Sequence, residues 1–247
     1  MKNLLIYTNP KGEFSEENKT LMKIQIDNSL DLGWKREDIL IYTNFDYEYN
    51  GVKSRIVPYL HYEFDVTANK IPVIVYLIEN GILEDGELYW YHDVDSYEND
   101  RIIEAELELD LVLGLCTYGY KAQWQLGGFF FRTGALDIFK TLDYRITRGR
   151  YRGRTDEKCF TSLVKCDMVD RKRFKELNVT YNLTMRYLHD NYNRATKPLK
   201  VLHFHPAHVD SLLPDTVLNM FMYGKNRMGV PMMSDRLIKI FNNHNIK

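Results

Sequence analysis

At 247 residues, 45% hydrophobic and 27% charged, the chain can bury a substantial core, and its composition excludes a disordered polymer. A formal net charge of −1 gives no overall bias, so affinity for a charged partner has to come from how charges are distributed along the sequence. Three cysteines, Cys116, Cys159 and Cys166, without a CxxC pair, suggest neither a disulfide framework nor a structural zinc site and fit a reducing, cytoplasmic setting.

The first predicted element is a buried strand at Leu4 to Tyr7, left by the loop Thr8-Asn9-Pro10-Lys11-Gly12. The sequence turns polar at Thr8 too early for a secretory leader, and the longest apolar stretch, Ile71 to Ile78, is far too short to span a membrane. Apolar residues at Leu21, Ile24, Leu30 and Leu32 follow a helical spacing that Gly33 ends. A second strand, Ile39 to Tyr42, runs out into Thr43-Asn44, which makes a βαβ opening with polar residues at each strand's carboxyl end. In open α/β sheets ligands bind at that end.

Gly51 to Arg55 reads as a loop and Asn69 to Asn80 as a helix closed by Gly81. The next strand begins at Leu88. Glu104 to Leu111 alternates like a strand but is built of helix formers, so its start stays open. Strands follow at Leu111 to Cys116 and Gly127 to Phe131, then a helix at Thr133 to Leu142, a loop at Asp190 to Lys197 and a last strand at Val201 to Phe204. The tail from Tyr223 is a closing segment, a partner-binding helix or a flexible end. Helix and strand alternating in this way imply an α/β domain with a mostly parallel sheet.

The strand Leu88-Tyr89-Trp90-Tyr91-His92 ends abruptly in Asp93-Val94-Asp95. Side chains two apart on a strand share a face, so the pattern brings two carboxylates together, where they repel unless a hard divalent cation offsets the charge. A solvated turn after a buried strand is the plain alternative.

The charges are sorted along the chain. Between Ile71 and Asp110 only Arg101 opposes a long series of acids, whereas Arg145, Arg148, Arg150, Arg152 and Arg154 crowd into one glycine-containing segment. Such a segment suits a phosphate backbone, or it pairs as a solvated loop with the acidic stretch.

Taken together, the elements resemble the GT-A type glycosyltransferases, which use a nucleotide-diphosphate sugar donor and a divalent cation. The resemblance covers residues 1–206, implies a single Rossmann-like domain with a mostly parallel, mixed central sheet flanked by helices, and leaves 207–247 as a C-terminal extension that closes the domain or stays flexible. Asp93-Val94-Asp95 looks like the family's metal-binding Asp-x-Asp, and Gln125 to Phe131, with Gly128, like the strand that backs the sugar pocket. Asp156-Glu157 is similar to the acidic pair beside the acceptor, either member of which is a candidate general base; the acidic first turn of any helix is the plain alternative. Tyr181-Asn182 and Leu202-His203-Phe204 look like the late segment whose histidine adds a metal ligand, with His205 and His208 as competitors for His203.

The resemblance therefore implies Mn²⁺ or Mg²⁺ held by Asp93, Asp95 and His203, and a donor, by resemblance a UDP-sugar, near Thr8, Asn9, Asn44, Lys53 and Arg55. Trp124 is either a sugar platform or core. The implied acceptor is a glycan or, through the arginine segment, a nucleic-acid base of DNA taken out of its stack. Two other classes compete: a metal-dependent nucleotidyl or phosphoryl transferase using the same aspartates, and a non-catalytic nucleic-acid-binding protein resting on the arginines.

Overall fold

The computed structural model describes residues 1–62, 68–119, 123–148, 155–184, 188–204 and 232–245. In its first half the chain forms β1 (Lys2–Tyr7), α1 (Glu16–Asp31), β2 (Ile39–Thr43), β3 (Glu48–Tyr49), β4 (Val52–Ile56), α2 (Lys70–Glu79), β5 (Tyr89–His92), β6 (Ser96–Glu98) and β7 (Leu113–Thr117). The second half adds β8 (Trp124–Phe131), α3 (Leu136–Thr147), α4 (Asp156–Lys165), β9 (Phe174–Glu176), β10 (Leu183–Thr184), α5 (Leu188–Arg194), β11 (Val201–His203) and α6 (Asp235–Asn243).

Eight strands form one sheet in the order β3-β4-β2-β1-β5-β8-β7-β9, and three more form a small sheet, β10-β11-β6. β4, β2, β1 and β5 run parallel; β8 enters antiparallel between β5 and β7, and β9 returns parallel to β7. The sheet is thus mixed and mostly parallel, with helices on both faces.

Alternation along the strands sorts the core into two layers. Leu4, Leu40, Tyr89, Tyr91, Phe129 and Phe131 face α2, α3 and α4, whereas Leu5, Ile41, Trp90 and Phe130 face α1. A third cluster joins Tyr97, Leu202 and Phe204 of the small-sheet region to Leu237 and Phe241 of α6. Ser15 starts α1, its side chain accepting from Asn18 N, and acidic Glu16 and Glu17 favour the helix's positive end.

Three expectations need correction. Gly51 to Arg55 is not a loop, because Val52–Ile56 is β4, entered through Asn50-Gly51 with both residues at positive φ. That dipeptide is a strong two-residue hairpin signal. Asp190 to Lys197 is not a loop throughout, because α5 extends to Arg194 with Leu188 and Tyr192 buried one helical turn apart in the third cluster. Glu104 to Leu111 is neither strand nor α-helix at its start, since Glu104–Leu107 is a 3-10 turn ended by Glu108 in the left-handed region.

The strand expected at Gly127 begins earlier, at Trp124, and all eight of its residues are buried. Buried on both faces, it lacks the alternation that would have marked its length. No helix among the described residues is long and apolar enough to cross a membrane.

Candidate functional site

β5 ends at His92, so Asp93 and Asp95 sit in a turn and not along a straight strand. The Asp93 N–H donates to Gly127 O at 2.8 Å, extending the pairing with β8 by one residue. Ser96 N then donates to Asp93 O at 3.0 Å, a β-turn that carries the chain from the main sheet into β6 of the small one. In the small sheet Ser96 lies opposite His203, the last residue of β11. Phe204 N donates to Asp95 O at 3.1 Å and closes the arrangement.

The result is a cluster in which one ligand-type atom each from Asp93, Asp95 and His203 lies within 4.8 Å of the others. His203 Nε2 is 3.2 Å from Asp95 Oδ1 and 4.0 Å from Asp93 Oδ2. Its other nitrogen, Nδ1, meets Asn182 Oδ1 at 3.2 Å, which orients the ring so that Nε2 faces the carboxylates. Burial alone would lower the His203 pKa, but the Asp95 carboxylate beside it pulls it above its ordinary value. Asp93 is raised by burial, with the Asp95 charge adding to the effect and Lys70 opposing it.

Gly127 makes the cluster sterically possible. A Cβ there would stand 2.1 Å from His203 Cε1 and 3.0 Å from Asp93 Oδ2. Gly128, the residue expected to back the sugar pocket, lies against Asn182, whose Nδ2 reaches Gly128 O at 3.5 Å.

The acidic pair opens α4. Thr155 caps the helix, its side chain accepting from Lys158 N, and Asp156 Oδ1 accepts from the Glu157 N–H at 2.8 Å. Asp156 Oδ2 is 3.0 Å from Lys70 Nζ, which is also 3.4 Å from Asp93 Oδ1. Glu157 accepts from Tyr118 OH at 2.8 Å and from Leu126 N at 3.3 Å, and burial, helped by Asp156, raises its pKa.

Lys70 therefore bridges the acidic pair and the Asp-x-Asp turn, a role that sequence reasoning missed. The one signal was a lysine opening a helix, where the dipole disfavours a cation. Tyr91, which donates to Asp93 Oδ1 at 2.6 Å, was missed as well, and Asn182 was named in the late segment without its role of orienting His203.

The residues expected around a nucleotide divide into three groups. Asn9 and Asn44 interlock, Asn9 N donating to Asn44 Oδ1 at 2.9 Å and Asn44 Nδ2 to Asn9 O at 2.8 Å, so they tie together the loops after β1 and β2. Thr8 Oγ1 is buried at the carboxyl end of β1, without a hydrogen-bond partner among the described residues. Lys53 is exposed at the hairpin end of β4 and pairs with Glu48 at 3.2 Å, while Arg55 lies over the Tyr42 ring. Trp124 is buried among Phe160 and Phe174, in the core reading. Arg145 lies against Met168 and Arg148 is exposed after the end of α3; Arg150, Arg152, Arg154, His205 and His208 lie outside the described residues. None of the three cysteines is in a disulfide; Cys116 and Cys159 are buried and Cys166 is exposed.

The mixed, mostly parallel sheet flanked by helices is the GT-A fold, shared with the solved glycosyltransferases to which the chain is similar, and the Asp-Asp-His cluster lies at the carboxyl edge of its parallel strands. No protein-family model and no curated protein matches the sequence. In three dimensions the chain is similar to a glycosyltransferase involved in glycosylation of the major capsid of PBCV-1, with a TM-score of 0.56 and 13% identity over 88% of this chain and 97% of that one. It is similar to the galactosyltransferase LgtC, solved with donor and acceptor sugar analogues, with a TM-score of 0.55 and 12% identity over 89% and 95%. The glycosyltransferase GlyE of Streptococcus pneumoniae matches with a TM-score of 0.56 and 14% identity, over 100% of this chain and 64% of its own.

Proposed function

We propose that the chain is a metal-dependent glycosyltransferase that moves a sugar from a nucleotide-diphosphate donor, a UDP-sugar, to a hydroxyl of an acceptor glycan. The observation that carries this reading is the convergence of Asp93, Asp95 and His203 at the sheet edge of a glycosyltransferase fold. Two carboxylate oxygens and an imidazole nitrogen suit Mn²⁺, with Mg²⁺ as the harder alternative. Bound there, the cation neutralises charge that develops on the departing nucleoside diphosphate.

The chain's own groups supply the rest. Thr8 Oγ1, a buried hydroxyl at the end of β1 with no hydrogen-bond partner among the described residues, offers the donor a hydrogen bond. Asn9 and Asn44 act indirectly by fixing the two loops that frame the nucleotide. Asp156 and Glu157 face the acceptor side, where Glu157, its pKa raised, is suited to exchange a proton with an acceptor hydroxyl. Lys70 keeps the Asp156 and Asp93 carboxylates at fixed distances from each other through one buried cation. LgtC was solved with donor and acceptor sugar analogues, which supports a sugar acceptor for this chain.

The test is release of nucleoside diphosphate from a panel of nucleotide sugars with Mn²⁺, comparing the native chain with Asp95→Asn. Slow hydrolysis of one donor, lost in the variant, is the expected result. Turnover of nucleoside triphosphates with no sugar release would move the site to phosphoryl or nucleotidyl transfer. Absence of release from every donor, together with no donor-induced rise in Tm, would overturn the glycosyltransferase reading.

A further inference from the structure

Among the described residues β6 is an edge strand of the small sheet, paired on one side only with β11, so its outer carbonyls need partners from elsewhere. They find them on α1. Gln25 Nε2 donates to Val94 O at 3.0 Å and to Ser96 O at 2.6 Å, and one turn on, Asn28 Nδ2 donates to Glu98 O at 3.0 Å. Two amide side chains three residues apart on the helix thus meet three alternate carbonyls of the segment that carries the acidic turn.

Gln25 occupies the critical place in this row. Its two acceptors are the carbonyls on either side of Asp95, and the second belongs to Ser96, the residue opposite His203 in the sheet. One amide therefore sets the backbone of one carboxylate and the register of the imidazole 3.2 Å from it. The Gln25 side chain is 1% exposed and is steadied by its own helix, where Ser29 Oγ donates to Gln25 O at 2.8 Å and accepts from Asn3 Nδ2 at 3.0 Å. Asn3 in turn meets His92 Nε2 at 2.8 Å, immediately before the turn. The polar groups beneath the turn thus link α1, β1 and β5 to the ligand-bearing backbone.

We propose that Gln25 is a positioning residue for the cation site, holding Asp95 and His203 at ligand spacing through the Val94 and Ser96 carbonyls. The proposal rests on the metal-site reading given under Proposed function. An apolar side chain of similar shape at this position takes the amide donor away from both carbonyls, and the turn relaxes to satisfy them with water.

The experiment is an Mn²⁺ titration of the purified chain, read from the electron paramagnetic resonance signal of the free aqueous ion, well below each variant's Tm. Gln25→Met is expected to weaken Mn²⁺ binding by about 10- to 100-fold, the range typical for groups that orient metal ligands. Gln25→Asn, one methylene shorter and able to reach one carbonyl at most, should fall between; it carries the test if Gln25→Met does not fold. Leu142→Ala is a purely structural comparison, because Leu142 is fully buried in the layer on the other face of the main sheet. It should lower Tm and leave the Mn²⁺ affinity unchanged. Native-like affinity in Gln25→Met and Gln25→Asn, or an equal loss in Leu142→Ala, would overturn the proposal. Failure of the native chain itself to bind Mn²⁺ would overturn the metal-site reading, and this proposal with it.

Discussion

Lys70 Nζ lies 3.0 Å from Asp156 Oδ2, with both side chains only 4% exposed, and the same nitrogen stands 3.4 Å from Asp93. A single buried cation thus ties the first residue of α4 to the turn after β5. Burial by itself would lower the Lys70 pKa, yet the carboxylates of Asp156 and Asp93 outweigh it and hold the ammonium above its ordinary value. Replacing it by Met leaves two carboxylates without their cation in a site already shared with Asp95. Lys70→Met should cost about 3–5 kcal/mol of unfolding free energy, measured by urea denaturation, as expected when one partner of a buried pair is removed. A loss below about 1 kcal/mol would mean that the pair behaves like an exposed one.

Gly127 permits the closest approach in the cluster. Gly127→Ala puts a methyl group 2.1 Å from His203 Cε1, which the imidazole can avoid only by leaving its place beside Asp95. Backbone angles are not at issue here, because Gly127 is not among the glycines at positive φ. The variant should therefore fold, with an unchanged far-ultraviolet circular dichroism spectrum, and lose Mn²⁺ affinity by more than about tenfold. Retained affinity would show that His203 is not a ligand.

Much of this site was legible because its parts announce themselves locally. β1, β2 and β5 each hold an uninterrupted run of apolar and aromatic residues, as buried parallel strands should, and Asp93-Val94-Asp95 follows the last of them with two charges. His203 was readable only by resemblance, since the sequence offered His205 and His208 beside it; the structure places His203 opposite Ser96. Gln25 was not legible, and Lys70 only as a cation at a helix start, where the dipole disfavours it. Each acts across more than twenty residues of sequence, on Asp93 and on Val94 and Ser96, and neither residue type carries a local signature for such a contact. β4 was missed for a different reason: Asn50-Gly51 is a hairpin signal, but the polar Val52-Lys53-Ser54-Arg55 stretch beyond it resembles a loop because this strand lies near the sheet's edge.

The segments that bear two of the cluster's ligands lean on α6 through Tyr97 and Phe204. Phe241 is 2% exposed, and its ring lies 4.8 Å from that of Tyr97 and 5.6 Å from that of Phe204, which follow Asp95 by two residues and His203 by one. Arg236 adds hydrogen bonds to Asn28 Oδ1 at 2.8 Å and Glu98 O at 3.0 Å. Phe241→Ala should destabilise the chain by about 3–5 kcal/mol in denaturant unfolding, the range for a buried aromatic truncated to alanine. A cost under about 1 kcal/mol would show that α6 is an appendage that leaves the site when the rest is intact.

Glu98 gives the fold a pH dependence that can be separated from the site's chemistry. Its side chain is 1% exposed; Oε1 accepts from Ile102 N and Oε2 from Trp34 Nε1, each at 2.6 Å, and Arg101 stacks over the Trp34 ring. Burial is the largest influence and raises the carboxyl's pKa despite those donors. Below about pH 4.3, the ordinary value for a glutamate, the group is protonated in both folded and unfolded chains. As the pH rises the unfolded chain ionises first, so it binds fewer protons than the folded one, and the stability contributed by Glu98 falls until the folded group ionises too. Gln at this position cannot titrate. The Tm of the native chain measured against that of Glu98→Gln should therefore decline as the pH rises above the ordinary glutamate value, about pH 4, whatever the offset between them at the acid end. A difference that rises with pH would mean that the Trp34 and Ile102 donors stabilise the ionised carboxylate by more than its burial costs.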